Sequence, residues 1–294
     1  MTEQAFGGGW TERKLEKVRK YLPAYMSVLT GKGFTTGYID AFAGTGYREL
    51  RNSCPEEPGL FGDLEDSDIE TYRDGSARIA LETYPPFDKY VFIEKDADKC
   101  RKLEDIRAEH PELATKISIR NCDANTEISA MCAPQISWKR HRAVMFLDPF
   151  GMQVSWDTIK IIAATKAIDL WYPFPISSVN RLLENHFCQH KEFADCLDRV
   201  FGAIDWRDAF YRPSAQASLF GDLPDLRKDA SFSAIGDYII ARLKSIFPGV
   251  VEKPYILSNS KNSPLFMLCF AVGNPNPKAL GPALRIARDI LMKD

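Results

Sequence analysis

The sequence predicts an α/β protein: a doubly wound, mostly parallel sheet, closed by an antiparallel hairpin and interrupted by a helical insertion. Three observations predict it. Apolar runs of strand length alternate with amphipathic stretches in a βαβα rhythm, the pattern of parallel sheets. The run "RAVMFLD" carries almost no polar residue before its final acid, as expected of a strand covered by helices on both faces. Near the end, "PYILSN" and "LFMLCFAVGN" are separated only by "SKNSP", a link that fits an antiparallel hairpin and is too short for a parallel crossover.

The elements follow in order. Residues 11–30 predict a helix, with Leu15, Val18, Leu22, Tyr25, Met26 and Leu29 at helical spacing. Arg13, Lys14, Lys17 and Lys20 lie mostly off that stripe and predict a solvated basic face, whose other use would be a nucleic-acid or partner contact. Thr11 is the expected cap, and Pro23 should kink or divide the helix. "GYIDAF", "KYVFIE", "KISIRN", "RAVMFLD" and "AIDLWYP" read as strands. "SARIALETY", capped by Ser76, "DADKCRKLEDIRAEH" and "WDTIKIIAAT" read as helices. Residues 48–74 are polar and acidic and read as an inserted loop; residues 178–250 read as a longer, mainly helical insertion. The division is therefore 1–36 as an N-terminal helical segment, 37–177 with 251–294 as the α/β domain, and 178–250 as an insertion for target or partner recognition.

Bulk properties narrow the function classes. Over 294 residues the net charge is −2, so no overall basic field draws the chain onto nucleic acid, and such contact needs a local patch. The basic run "WKRHR" precedes the fourth strand, at the far end of the sheet from any ligand crevice, and reads as a solvated loop. Seven cysteines fall in no C-x-x-C and no zinc-finger spacing; no metal site is expected, and all seven are expected as reduced thiols in a cytoplasmic protein. The first residues, "MTEQAFGGGWTERK", lack the apolar run of a signal peptide. No stretch reaches the roughly 18 apolar residues of a membrane span, so no membrane partner is expected.

The strand ends carry the chemistry. In "YIDAFAGTGY", Asp40 closes a strand and Gly44 and Gly46 follow, where ligands enter such sheets. A phosphate loop would need Gly-Lys-Ser/Thr, and there is no lysine. A dinucleotide fingerprint would need a third glycine where Glu49 stands. An acid before a glycine turn suits a cationic ligand better than a diphosphate; the remaining alternative is a bare chain turn. Glu94 ends the second strand in "YVFIEKD", where a carboxylate can accept from both hydroxyls of a ribose. Asp123 follows the third strand in "NCDAN", positioned to accept from an adenine amine. "FLDPFG" follows the fourth strand: Asp148 can orient a polar acceptor, Pro149 withholds an N–H, and Phe150 offers a stacking face. "WYPFP", Trp171 to Pro175, ends the fifth strand and could wall an acceptor pocket, with Phe150, Trp171 and Tyr172 receiving a flipped base; a packed core edge is the alternative.

Together these motifs resemble those of class I S-adenosylmethionine-dependent methyltransferases, which have a Rossmann-like fold. More narrowly, "GGGWTERKLEKVRKYLPAY", "YIDAFAGTGY", "VFIEKD" and "FLDPFG" resemble the bacterial three-Cys-motif partner protein (TcmP) family, over most of residues 10–180 and again near 255–275. The resemblance implies S-adenosylmethionine as cofactor, with Asp40, Gly44 and Gly46 at its methionine end, Glu94 at the ribose and Asp123 at the adenine, and with Ala41 and Phe42 also among the cofactor-binding residues. It also implies a partner carrying a three-cysteine motif, related to a phage-type Gp37/Gp68 family. Asp148, Pro149 and Phe150 resemble the (Asp/Asn/Ser)-Pro-Pro-aromatic motif of amino methyltransferases acting on nucleic-acid bases, and imply DNA or RNA as acceptor. The sequence departs from that motif: Phe150 replaces the second proline and Gly151 the aromatic. A non-catalytic, methyltransferase-like subunit that binds cofactor or nucleotide is therefore the alternative function. No Pro-Cys is present that would attack cytosine covalently. "QASLF", residues 216–220, resembles the short peptide by which bacterial proteins dock on the sliding clamp. "LFGDL" occurs at both 60–64 and 219–223, without forming a repeat architecture.

Overall fold

The structure, a computed structural model, describes residues 9–43, 75–149, 151–187, 190–213, 226–259 and 261–293. Gly44, Gly46, Phe150, the 48–74 loop, "QASLF" and both "LFGDL" segments lie outside the described residues.

Helix α1 (Gly9–Leu29) runs unbroken with Pro23 inside it. Thr11 therefore lies within the first turn rather than at the cap, and Pro23 does not divide the helix. The basic-face expectation is also corrected: Lys14 and Lys17 are each 2% exposed, while Leu15 is only half-buried. The inward face runs Trp10, Lys14, Val18, Tyr21, Leu22 and Tyr25, one step round from the purely apolar stripe, because a lysine stem packs like an aliphatic side chain when its ammonium finds a partner.

Strand β1 (Thr35–Asp40) is followed by helical stretch α2 (75–81), strand β2 (Lys89–Glu94) and helix α3 (Ala97–Glu109). Ser76 lies within α2, not at a cap, and its hydroxyl donates to Asp40 instead. Asp96 caps α3 by accepting from the amides of Asp98 and Lys99, satisfying donors that the first turn leaves open. Strand β3 (Ile117–Asn121) leads into α4 (Ala124–Met131), and β4 (His141–Phe146) into α5 (Trp156–Ala164), which Ser155 caps. Every residue of β5 (Ile168–Phe174) is buried, as both-face coverage requires.

The insertion contains α6 (Ile176–Leu182), α7 (Lys191–Phe201), α8 (Trp206–Phe210), a small hairpin of β6 (Tyr211–Pro213) and β7 (Leu226–Lys228), and α9 (Phe232–Lys244). Strands β8 (Gly249–Val250), β9 (Tyr255–Ser258) and β10 (Pro264–Val272) follow, then α10 (Pro277–Met292). Pro282 inside α10 hides that helix from a reading by periodicity and breakers.

Among the described residues the main sheet has eight strands in the order β3-β2-β1-β4-β5-β10-β8, with β9 also on β10. The β1–β2, β1–β4, β2–β3 and β4–β5 pairs are parallel; β10 is antiparallel to β5, β8 and β9. This is the doubly wound, Rossmann-like sheet with the antiparallel hairpin that the sequence predicts. Strand residues alternate between two cores. Ile39, Met145, Leu170 and Cys269 face α4 to α9, while Tyr38, Phe146, Trp171 and Phe270 face α1, α2, α3 and α10. Insertion residues such as Val179, Leu197 and Ile239 belong to the first of these cores, so α6 to α9 form a layer on the sheet.

Two further expectations are corrected. Cys196 in α7 is disulfide-bonded, whereas Cys100, Cys122, Cys132 and Cys269 are free thiols. Sequence spacing counts cysteines but does not show which of them meet, because a bridge requires Cα atoms within about 7 Å in the fold. Trp171 and Tyr172 are 0% and 2% exposed. Trp171 packs its ring 5.3 Å from Tyr21 and 4.9 Å from Phe270, so this segment is core and does not wall an acceptor pocket.

No helix among the described residues is long and apolar enough to cross a membrane. No group of three or more His, Cys, Asp or Glu among them is placed to hold a metal ion.

Candidate functional site

The strand order reverses direction between β1 and β4, and a doubly wound sheet opens its ligand crevice at that point, beyond the carboxyl ends of the strands. Asp40 is the last residue of β1 and lies level with Phe146 of β4. Asp148 follows two residues after Phe146. Glu94 is the last residue of β2, paired with Asn121 at the end of β3, and Asp123 comes two residues later. Four predicted acids thus end four adjacent parallel strands.

Their surroundings differ. Asp40 and Glu94 are each 1% exposed. The Ser76 hydroxyl donates to Asp40 Oδ2 at 2.8 Å. The Asp96 amide donates to Glu94 Oε1 at 2.7 Å. The Asn121 side-chain amide donates to the carbonyls of Glu94 (3.1 Å) and Lys95 (2.8 Å), fixing the exit from β2. Asp123 is exposed and caps α4, accepting from the Thr126 amide at 3.0 Å. Ala41 and Phe42 are buried, and the amides of Ala41 and Ala43 donate to the carbonyls of Phe146 and Ile93 at 3.0 and 2.9 Å. The chain leaving β1 is therefore still tied to strands on both sides. Pro149 is buried.

Asp148 has a partner that its sequence neighbourhood does not reveal. Lys14 Nζ donates to Asp148 Oδ1 at 2.9 Å and Oδ2 at 2.7 Å. The ammonium also lies 5.3 Å from the Trp10 ring centroid, 5.6 Å from Phe266 and 5.9 Å from Phe146, distances at which a cation is attracted by an aromatic face. Lys14 and Ser76 are the two residues of this site that sequence reasoning misplaced. The signal for Lys14 was its register: residues 14, 18, 21 and 25 share one face of a helix.

Tyr38 lies on the same face of β1 as Asp40. Its hydroxyl is buried without a hydrogen-bond partner among the described residues. Burial first, then the negative charges of Asp40 and Asp148, push this phenol well above its ordinary range. The strand ends thus bring together carboxylates that have donors within the chain and one buried phenol hydroxyl, that of Tyr38, without a hydrogen-bond partner among the described residues.

A cavity of about 50 Å³ lies elsewhere, lined by Tyr21, Tyr25, Arg142 and Asp169 among others, between α1 and α10 at the amino end of the parallel strands. That volume holds a few waters, and its position excludes it from the crevice.

No family model and no curated protein matches this chain. Among solved structures, protein LPL1258 from Legionella pneumophila str. Philadelphia 1, of the family described as DUF519, is 12% identical with a TM-score of 0.45, covering 98% of this chain and 94% of that one. A conserved hypothetical protein of Streptococcus pyogenes is 15% identical with a TM-score of 0.30, covering 52% of this chain and 76% of that one. A putative methyltransferase, yhhF from Escherichia coli, is 11% identical with a TM-score of 0.29, covering 54% and 70%. These likenesses are too loose to carry a functional argument.

Proposed function

We propose that this chain is an S-adenosylmethionine-dependent methyltransferase of the three-Cys-motif partner (TcmP) type, acting on DNA or RNA together with a three-cysteine-motif protein. The observation that carries the reading is the pair of buried carboxylates, Asp40 and Glu94, ending adjacent parallel strands beside the switch point. Within the chain the Ser76 hydroxyl donates to Asp40 and the Asp96 amide to Glu94, the kind of partner a buried acid needs, and the reading adds a ligand's donors to these. Asp40 would face the ammonium end of the cofactor, and Glu94 would accept from its ribose hydroxyls. When bound there, the cofactor supplies an electrophilic methyl group on a sulfonium. The work of this chain is then alignment: the strand ends fix one reactant, and Asp148 orients the acceptor and takes up developing positive charge.

The ion pair between Lys14 and Asp148 favours a second reading. Both carboxylate oxygens are engaged by the ammonium, so an acceptor amine must share or displace that contact. In a non-catalytic subunit Asp148 would serve only to hold α1 on the sheet.

Calorimetric titration with S-adenosylmethionine, S-adenosylhomocysteine and NAD tests the cofactor. Binding of the first two but not NAD is expected. Glu94→Gln should weaken S-adenosylhomocysteine binding by about 1.5–3 kcal/mol, the worth of a hydrogen bond to a charged group, or roughly 10- to 100-fold. Transfer of tritiated methyl to total RNA, DNA and the partner protein then separates the two readings. Loss of label in Asp148→Ala is expected of the enzyme; cofactor binding without transfer by the wild type would leave the non-catalytic subunit.

A further inference from the structure

We propose that Arg199, in helix α7 of the insertion, is the positioning residue by which the insertion sets the geometry of the loop carrying Asp148. The inference rests on the methyltransferase reading above and adds to it a route from the recognition segment to the reacting groups. Arg199 Nη2 donates to the Met152 carbonyl at 2.7 Å, and Nη1 to the Gln153 carbonyl at 3.2 Å. One planar guanidinium thus takes two successive carbonyls of the segment that follows the Asp-Pro-Phe-Gly motif, a geometry its rigid fork suits. Nη2 also lies 3.6 Å from Sγ of the disulfide-bonded Cys196, one turn earlier in α7.

A second side chain grips the same segment. Asn125 of α4 donates to the Gln153 carbonyl at 3.0 Å and accepts from the Ser155 amide at 3.2 Å and the Thr158 hydroxyl at 2.7 Å. At the other end of the loop, Lys14 holds Asp148. Between these anchors Gly151 has φ +119°, a conformation that L side chains rarely adopt. Helix α7 is itself set firmly. It ends at Gly202, with φ +62°, packed so closely on Trp156 that a Cβ there would come within 2.1 Å of that ring. From α9, the Arg242 guanidinium lies 4.7 Å from the Trp156 ring and donates to the Phe201 carbonyl at 2.8 Å. A shift of α7 on engaging a target or partner would therefore be passed by Arg199 to residues 152–153, and through the Gly151 turn to Asp148.

The test uses the full chain with Arg199→Met and Arg199→Lys. The methionine variant keeps the packing volume of the stem and removes all donors; the lysine variant keeps one charge and single-point donation. Hydrogen–deuterium exchange should quicken in peptides spanning 147–155 in Arg199→Met, with β4 and the rest of α7 unchanged, and should lie between the two in Arg199→Lys. Affinity for S-adenosylhomocysteine should equal that of the wild type. The kcat for methyl transfer should fall by about 10- to 100-fold with little change in KM, the cost of misplacing a reacting group by about an ångström. Unchanged exchange at 147–155, or an equal rise throughout α5 and α7, overturns the proposal. Exchange is read without any methyl transfer. A wild type that binds neither nucleoside would sink the methyltransferase reading, while the clamp would still stand or fall on the exchange data.

Discussion

Lys14→Met is expected to destabilise the protein by about 3–5 kcal/mol, the usual cost of removing one partner from a buried ion pair. Lys14 is 2% exposed and Asp148 9%, so water reaches neither freely. Methionine fills the lysine stem's volume and suits the aromatic surface of Trp10 and Phe266, which confines the loss mainly to the charge. The carboxylate left behind has lost two short charge-assisted hydrogen bonds in a place where water can only partly replace them. Asp148→Asn should also destabilise, but less, because the aromatic faces around Lys14 still favour a cation. The double variant should lose about 2–3 kcal/mol less than the sum of the singles, as coupled neighbours do. Urea denaturation midpoints at constant slope measure all three. A Lys14→Met variant within about 0.5 kcal/mol of wild type, the range of ordinary surface substitutions, would show that the pair contributes little. Because the Lys14 ammonium ties α1 to Asp148, the same cycle measures how firmly this contact of the N-terminal helix holds the proposed acceptor-orienting residue.

The sheet was legible because its signals are local. Each parallel strand is a short apolar run, and each ends in an acid or in a tight turn that the alternation of elements places at one edge. Asp40, Glu94, Asp123 and Asp148 fall at that edge in the fold as in the sequence reading. The rest was not legible because it depends on partners far along the chain. Lys14 and Asp148 are 134 residues apart, and nothing near either residue announces the other. Ser76 looks like a helix cap until the fold brings Asp40 to it. Trp171 reads equally well as pocket wall or core, and only the rings of Tyr21 and Phe270 decide between them. Cys196 shows the same limit, since a disulfide is a statement about proximity. Asp123 is a milder case: its capping contact to Thr126 explains an acid at that position with or without an adenine.

A second large effect concerns pH and lies at the opposite end of the sheet. Asp169 of β5 is 6% exposed, and its pKa is raised from 3.8 to about 6, chiefly by burial. The Gly273 amide (3.0 Å to Oδ1), the Tyr21 hydroxyl (3.0 Å to Oδ2) and the charge of Arg142 all oppose that rise without cancelling it. Gly273 packs so closely on β5 that a Cβ added there would come within 2.3 Å of the Ile168 carbonyl oxygen, so glycine is the residue that can bring this amide to Asp169. With a folded pKa above the unfolded one, the folded state binds the proton more tightly. The group's favourable contribution is therefore complete below about pH 3.8 and is lost as pH rises through about 6. Between those limits the loss amounts to about 3 kcal/mol, at 1.36 kcal/mol per pKa unit. Asp169→Asn should remove this slope. Its carbonyl can accept from Gly273, and its amide can donate to the Tyr21 oxygen, which is able to accept. The variant should gain on the wild type by about 2–3 kcal/mol between pH 4 and pH 8, reading the difference in unfolding free energy at each pH so that titration of the other groups cancels. Asp169→Ala, which strands the Gly273 amide and the Tyr21 hydroxyl, should be less stable than the asparagine variant at both pH values. Parallel stability curves for wild type and Asp169→Asn across this range would mean that Asp169 titrates alike in the folded and unfolded chain, and that the pin joining α1 to the β10–α10 turn carries no penalty for its charge.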